Sequence, residues 1–227
     1  MSGDSPVAVD PELFSNLCSY VPASIVTYLE AGLEAKTLEV ATPSSDSPIA
    51  NQVVPVKAPQ SWDTVVLFAD VSGFTKLCEA MAAKGPGGDE DLARHLNTYF
   101  DELVKIMCDF GGDVFKFAGD AVLVLWPASH ESVKKKCRRA GQCALVIKER
   151  MNNVELAPNV VLNIKVGLGC GRVHVLHLGG THGRREYIAT GQALTQAFNA
   201  EHNAVVRIIP IRNHEICLMT LISVTAQ

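Results

Sequence analysis

No apolar run in this 227-residue chain is long enough to cross a bilayer. The longest, Ala121–Pro127 and Ile216–Val224, fall well short of the roughly 20 residues a spanning helix needs, so no membrane span is expected. A secretory leader is not expected either, because the opening MSGDSPVAVDPE is acidic and has no apolar stretch. The sequence has no CxxC pair, and its cysteines number seven. An odd count without paired spacing argues against a disulfide framework and against zinc. Free thiols acting as small hydrophobes in a reducing, cytoplasmic setting are the expectation. Positive charge is not in excess: 20 Lys and Arg face 24 Asp and Glu, a formal net charge of -4. No nucleic-acid partner held by bulk positive charge is expected. Internal repeats are absent. What the chain does have is 48% hydrophobic against 19% charged residues, a composition that folds, in a length that suits one domain with extensions.

Residues 1–40 read as a loose tail followed by a helical lead-in, with Leu13, Leu17, Ile25 and Leu29 on a stripe that Pro22 interrupts. Residues 41–60 carry Pro43, Pro48, Pro55 and Pro59 among serines, the composition of a linker. The globular unit is expected over 61–201, with 202–227 a divergent or truncated tail. Within that unit, Thr64–Ala69 predicts a buried strand and Gly73–Ala83 a helix. GPGGDED (85–91) predicts a turn ending in acidic helix caps, before a helix with Leu92, Leu96, Tyr99, Leu103 and Met107 on one face. Val114–Phe117 and Ala121–Trp126 predict a tight hairpin. A basic-faced helix follows from Ser132 to about Met151, its Lys134–Lys136, Arg138 and Arg139 expected to be solvated. Asn163–Cys170 and Val173–Leu178 predict a strand pair around Gly171, Glu186–Ala189 a short strand and Gln192–Glu201 a helix. The order predicts an α+β sandwich with helices packed on an antiparallel sheet. His174, His177 and His182 do not share a face and predict no metal site.

Two carboxylates occupy costly positions. Asp70 ends an apolar strand in FADVSGFT, and Asp120 sits at the hairpin tip in FKFAGDAVLVLW. A carboxylate at a buried strand end needs a partner. If the first strand lies beside the hairpin, the two carboxylates meet, and a divalent cation would relieve their repulsion. Oxygen ligands without His or Cys favour Mg²⁺ or Mn²⁺. Each residue also has a plainer reading, Asp70 as a helix cap and Asp120 as an ordinary Gly-Asp turn. Ser72, Gly73, Phe74 and Thr75 open a helix directly after the strand, where free backbone N–H groups make an anion site. Metals beside a helix N-terminus suit a triphosphate.

FADVSGFT and FGGDVFKFAGDAVLVLW resemble the class III adenylyl/guanylyl cyclase catalytic domain, and most nearly the first catalytic domain of soluble, bicarbonate-responsive adenylyl cyclases. The resemblance covers about Leu17–Leu29 and Thr64–Ala200. GGDVF superficially resembles the GGDEF signature of diguanylate cyclases, but the Glu is missing and FADVSGFT precedes it. The family implies a ferredoxin-like βαββαβ fold whose domains pair head to tail, with ATP cyclised to cyclic AMP and pyrophosphate between them. On its pattern Asp70 and Asp120 are the catalytic, metal-binding aspartates, and Val71 gives a backbone ligand to one of two Mg²⁺ or Mn²⁺ ions. Ser72–Thr75 and Lys165 then lie along the triphosphate.

The resemblance also marks what is changed. Lys116 matches a base-reading lysine, or the lysine of a degenerate anion site; paired with a nearby carboxylate, it would instead be structural. The acidic base reader's position carries Ile188, the Asn position Thr195 and the Arg position Asn199, while the arginine of the bicarbonate site is replaced by Phe198. The expected function is therefore an adenylyl cyclase half-site that bears the metals and needs a complementary second cyclase domain, or less fittingly a homodimer. ATP is favoured over GTP, and little activity is expected of the isolated chain. The alternatives are a catalytically silent domain that binds nucleotide or regulates a partner, and a palm-like two-metal nucleotidyl transferase.

Overall fold

The computed structural model describes residues 21–27, 59–127, 129–179 and 185–204. The chain divides into two compact units, Met1–Gln52 and Val53–Gln227. In the first unit, residues 23–27 are helical, with the Ile25 N–H donating to the Pro22 carbonyl at 2.9 Å. The other lead-in residues, Cys18, Cys217 and Ile216–Val224 lie outside the described residues.

The second unit runs β1 (Gln60–Ser72), α1 (Phe74–Ala83), α2 (Gly88–Asp109), β2 (Asp113–Ala118), β3 (Ala121–Leu125), α3 (Val133–Met151), β4 (Val154–Ala157), β5 (Val160–Gly179), β6 (Arg185–Thr190) and α4 (Gln192–His202). The strands form one sheet in the order β2-β3-β1-β5-β4, with β6 also paired to β5. Every pairing is antiparallel. The order β2-β3-β1-β5, with helices between β1 and β2 and between β3 and β5, is the expected ferredoxin-like arrangement.

Strand β1 is central, and its apolar run is continuous because both faces are covered. Val65, Leu67, Ala69 and Val71 face a core made with Tyr99, Leu103, Ile106 and Met107 of α2 and Ala140, Cys143, Ala144 and Ile147 of α3. Its even-numbered residues turn to the other face. There Phe68 meets Phe198 of α4 edge to face, with ring centroids 4.7 Å apart. Helix α4 sits directly on β5: a Cβ on Gly167 or Gly169 would run into the carbonyl oxygens of Ala197 and Ala193. Both glycines are therefore required for this contact. Gly169→Ala is expected to lower unfolding stability by about 1–3 kcal/mol, measured by urea denaturation, because helix backbone rather than a flexible side chain must move.

Several elements differ from expectation. Asn163–Cys170 and Val173–Leu178 are not two strands but parts of the single 20-residue β5. Gly171, at φ 149°, changes the local backbone without stopping the ladder, since it pairs with Thr64 and the register continues on both sides. The short β4 was not anticipated; it joins β5 through Pro158 and Asn159, the latter at φ 63°, a conformation Asn tolerates. The 85–91 turn is shorter than expected. Helix α2 starts at Gly88, so Asp89, Glu90 and Asp91 occupy its first turn rather than cap it, where they favour the positive end of the dipole.

The basic helix is only partly solvated. Lys136 is 3% exposed and donates from Nζ to the Pro127 carbonyl at 2.8 Å. Burial pulls its pKa below the usual lysine value, with Glu131 opposing. Arg139 donates to the Phe110 carbonyl at 2.9 Å and pairs with Glu131 at 3.0 Å. Arg139 thus ties α3 to the α2–β2 connection, and Lys136 ties it to the chain just after β3.

Candidate active site

The antiparallel pairing of β1 with β3 places Asp70 opposite Ala121. Asp120 is the residue before Ala121, so both carboxylates lie at the same end of adjacent strands. The Val71 N–H donates to the Asp120 carbonyl at 3.3 Å, tying the hairpin tip to the strand end. The hairpin turn is Gly119-Asp120, with Gly119 at φ 67°. Both aspartates are half-buried. Burial holds the Asp70 carboxyl above the ordinary 3.8, the Asp120 charge raises it further, and Lys165 opposes.

On the other side of β1, Asp70 pairs in register with Lys165 of β5. The lysine is half-buried rather than freely solvated, and its Nζ lies 4.0 Å from Glu201 Oε1 of α4. Glu201 was not anticipated. Burial raises its pKa, the Asp70 charge raises it further, and Lys165 and His202 oppose. Three carboxylates and one lysine thus gather around the end of β1. No local signal marks Glu201; it enters only because the two glycines bring α4 onto the sheet.

Strand β1 continues through Val71 and Ser72 before α1 begins, so Asp70 is not the helix cap. Gly73 occupies that position at φ 100°, with no side-chain cap. An added Cβ would lie 2.5 Å from the Val161 carbonyl oxygen, so the strand-to-helix turn requires glycine. The Ser72 hydroxyl donates to the Asn163 carbonyl at 3.3 Å. Phe74 is half-buried and Thr75 exposed at the first turn of α1, whose leading N–H groups have no partners within the helix.

Lys116 lies on β2 and is exposed. Its Nζ is 3.4 Å from Glu186 Oε2 and 5.6 Å from the Tyr187 ring centre. Glu186 is two residues before Ile188 on β6 and so on the same side of that strand. Lys116 therefore has an acidic neighbour that the position-by-position resemblance did not supply. Ile188 is 39% exposed, and Thr195 and Asn199 are exposed on α4, one helical turn apart.

Among the described residues, no group of three or more His, Cys, Asp or Glu is arranged to hold a metal ion. The oxygens that could hold one are the carboxylates of Asp70 and Asp120 with backbone carbonyls beside them. A divalent cation fits this set, because it would offset the burial of the Asp70 charge and the Asp120 charge beside it, and would need no nitrogen or sulfur ligand. His174 is committed elsewhere, its Nδ1 2.6 Å from the Ser61 hydroxyl.

Residues 56–221 match the family described as "Adenylate and Guanylate cyclase catalytic domain". The match runs past Ala200, where the motif resemblance stops. Adenylate cyclase type 10 of Oryctolagus cuniculus is 32% identical over 145 residues, which are 63% of this chain and 9% of that protein. The chain thus spans about a tenth of the length of the adenylate cyclase type 10 relatives it matches. The adenylyl cyclase CyaB of P. aeruginosa superposes with a TM-score of 0.54 at 28% identity, over 64% of this chain and 74% of that one. A bacterial light-regulated adenylyl cyclase gives 0.54 at 22% identity over 84% and 47%, a likeness of fold. With the sheet order, the paired strand-end aspartates and a family match over most of its length, this chain belongs to the adenylate and guanylate cyclase catalytic domain family.

Proposed function

We propose that this domain supplies the metal-bearing half of a composite adenylyl cyclase site, converting ATP to 3′,5′-cyclic AMP and pyrophosphate together with a complementary cyclase domain. The juxtaposition of Asp70 and Asp120 at adjacent strand ends carries the reading. Their carboxylates, with the Val71 carbonyl, would hold two Mg²⁺ or Mn²⁺ ions. When bound, such ions lower the pKa of the ribose 3′-hydroxyl and neutralise charge on the phosphates. The turn from Ser72 and Gly73 into Phe74 and Thr75, at the start of α1, would receive the β- and γ-phosphates on its free N–H groups. Lys165, held near Asp70 by Glu201, would add a positive charge beside the polyphosphate. Lys116, paired with Glu186, fits its structural reading better than a base-reading one, and base recognition would fall to the complementary domain.

Half a site is the better reading because of what stands at Ile188, Thr195 and Asn199. None of the three offers a cation to the charge that develops in phosphoryl transfer, and such a cation is worth about 10³-fold or more. A homodimer would carry the metal ligands without it. These residues also favour the second reading, a domain that binds nucleotide and regulates a partner without turnover. The two are separated by mixing the purified chain with a cyclase domain that carries the Asn, the Arg and an acidic base reader but lacks metal aspartates. Cyclic AMP formed from ATP and Mn²⁺ only in the mixture is the expected result.

A further inference from the structure

Cys137 and Cys170 are 33 positions apart in sequence, yet their sulfurs are 3.5 Å apart. Cys137 belongs to the first half of α3 and Cys170 to β5. The even-numbered residues Leu162, Ile164, Leu168 and Cys170 of β5 turn toward the core that α3 covers, which brings the two thiols together. Both are half-buried at the edge of that core, whereas Cys143 on the same helix is fully buried. All described cysteines are free thiols. The Cys137 thiol donates a hydrogen bond to the Cys170 sulfur. That bond pulls the Cys170 thiol below its usual value, with burial and the charge of Asp63 opposing. The same bond, followed by burial, pushes Cys137 up. The pair thus sets a thiolate-prone sulfur beside a protonated partner.

We propose that Cys137 and Cys170 are a reversible modification site, an intrachain disulfide that forms by exchange with a small-molecule disulfide and clips α3 to β5. The Cys170 thiolate attacks one sulfur of oxidised glutathione, breaking its S–S bond and releasing one glutathione thiolate. Cys137 gives its proton to solvent, and its sulfur attacks the Cys170 sulfur of the mixed disulfide, expelling the second glutathione thiolate. The protein loses two electrons and two protons, and one oxidised glutathione becomes two reduced molecules. Closing the bond requires the sulfurs to approach from 3.5 Å to about 2.05 Å. A reducing compartment would keep the pair open, so the bond is a response to oxidant rather than a permanent staple.

The test is to expose the reduced full chain to oxidised glutathione, block remaining thiols by alkylation, and map the disulfides by mass spectrometry. The expected result is a linked Cys137–Cys170 peptide, two of the seven thiols protected from alkylation, and recovery of both with dithiothreitol. The closed form is expected to melt roughly 5–10 °C higher than the reduced form. Cys137→Ser should instead retain one glutathione on Cys170 and show no such rise. A wild-type chain that keeps glutathione on Cys170 without closing the bond would overturn the proposal. So would oxidation confined to other cysteines, or a chain whose thiols all remain alkylatable.

Discussion

Asp70→Asn is expected to abolish cyclisation in the mixed assay while leaving the fold intact or slightly more stable. The amide keeps the size of the carboxylate but removes the charge a divalent cation needs. Loss of about 10³-fold or more in turnover is the expected scale for removing a group that organises charge in the transition state. The stability half of the prediction follows from the pKa. Folding raises the Asp70 carboxyl above the ordinary 3.8, through burial first and Asp120 second. The folded chain therefore binds this proton more tightly than the unfolded chain. Ionised Asp70 then costs stability, and that cost grows as pH rises from the unfolded value through the folded one and persists at neutral pH. Asn removes the cost. Without metal at neutral pH, the variant should melt at or above the wild-type temperature. Added Mn²⁺ should raise the melting temperature of the wild type only. A variant that keeps more than a tenth of wild-type turnover, measured as cyclic AMP formed in the mixture, would contradict the assignment of Asp70.

Restoring the missing chemistry is expected to have the opposite effect. The triple substitution Ile188→Asp, Thr195→Asn and Asn199→Arg should give the isolated chain measurable ATP cyclisation, at least about 10²-fold above wild type. All three positions are exposed, so the changes should alter stability by about 0.5 kcal/mol or less each. Thr195 and Asn199 lie one turn apart on α4, so the Asn and Arg would project from one stretch of its surface. The gain should vanish when Asp70→Asn is added. A triple variant that folds, binds an ATP analogue with Mn²⁺ and still makes no product would show that more than these side chains separates this domain from a complete site.

What the sequence made legible depended on how local each signal was. FADVSGFT and AVLVLW are apolar runs that contain Asp or follow it, so strand, turn and strand-end carboxylate were readable without tertiary information. The pairing of β1 with β3 was only a condition in that reading, and the ladder from Val66 to Asp70 supplies it. Strand β5 was misread because a glycine between two apolar runs has the same local appearance whether it ends a strand or bends one; the ladder to β1 decides. Strand β4 is too short to carry a period. Glu201 and Glu186 are ordinary polar residues in sequence, and only the seating of α4 on Gly167 and Gly169 and the pairing of β6 with β5 give them neighbours. The Cys137–Cys170 contact bridges a helix and a strand, beyond any spacing rule. Lys136 and Arg139 looked solvated because a run of cations does not show which of its members turn inward.

The central claim is that this chain contributes metal ligands to a site completed by another domain. It is tested most directly by quantifying cyclic AMP from ATP and Mn²⁺ with the chain alone, an acceptor domain stripped of its own metal aspartates alone, and the two combined. Product only in the combination, lost when the chain carries Asp70→Asn, is the predicted result. Substantial product from the chain alone would contradict the half-site account. A silent combination that still binds an ATP analogue would assign the domain to regulation instead of turnover.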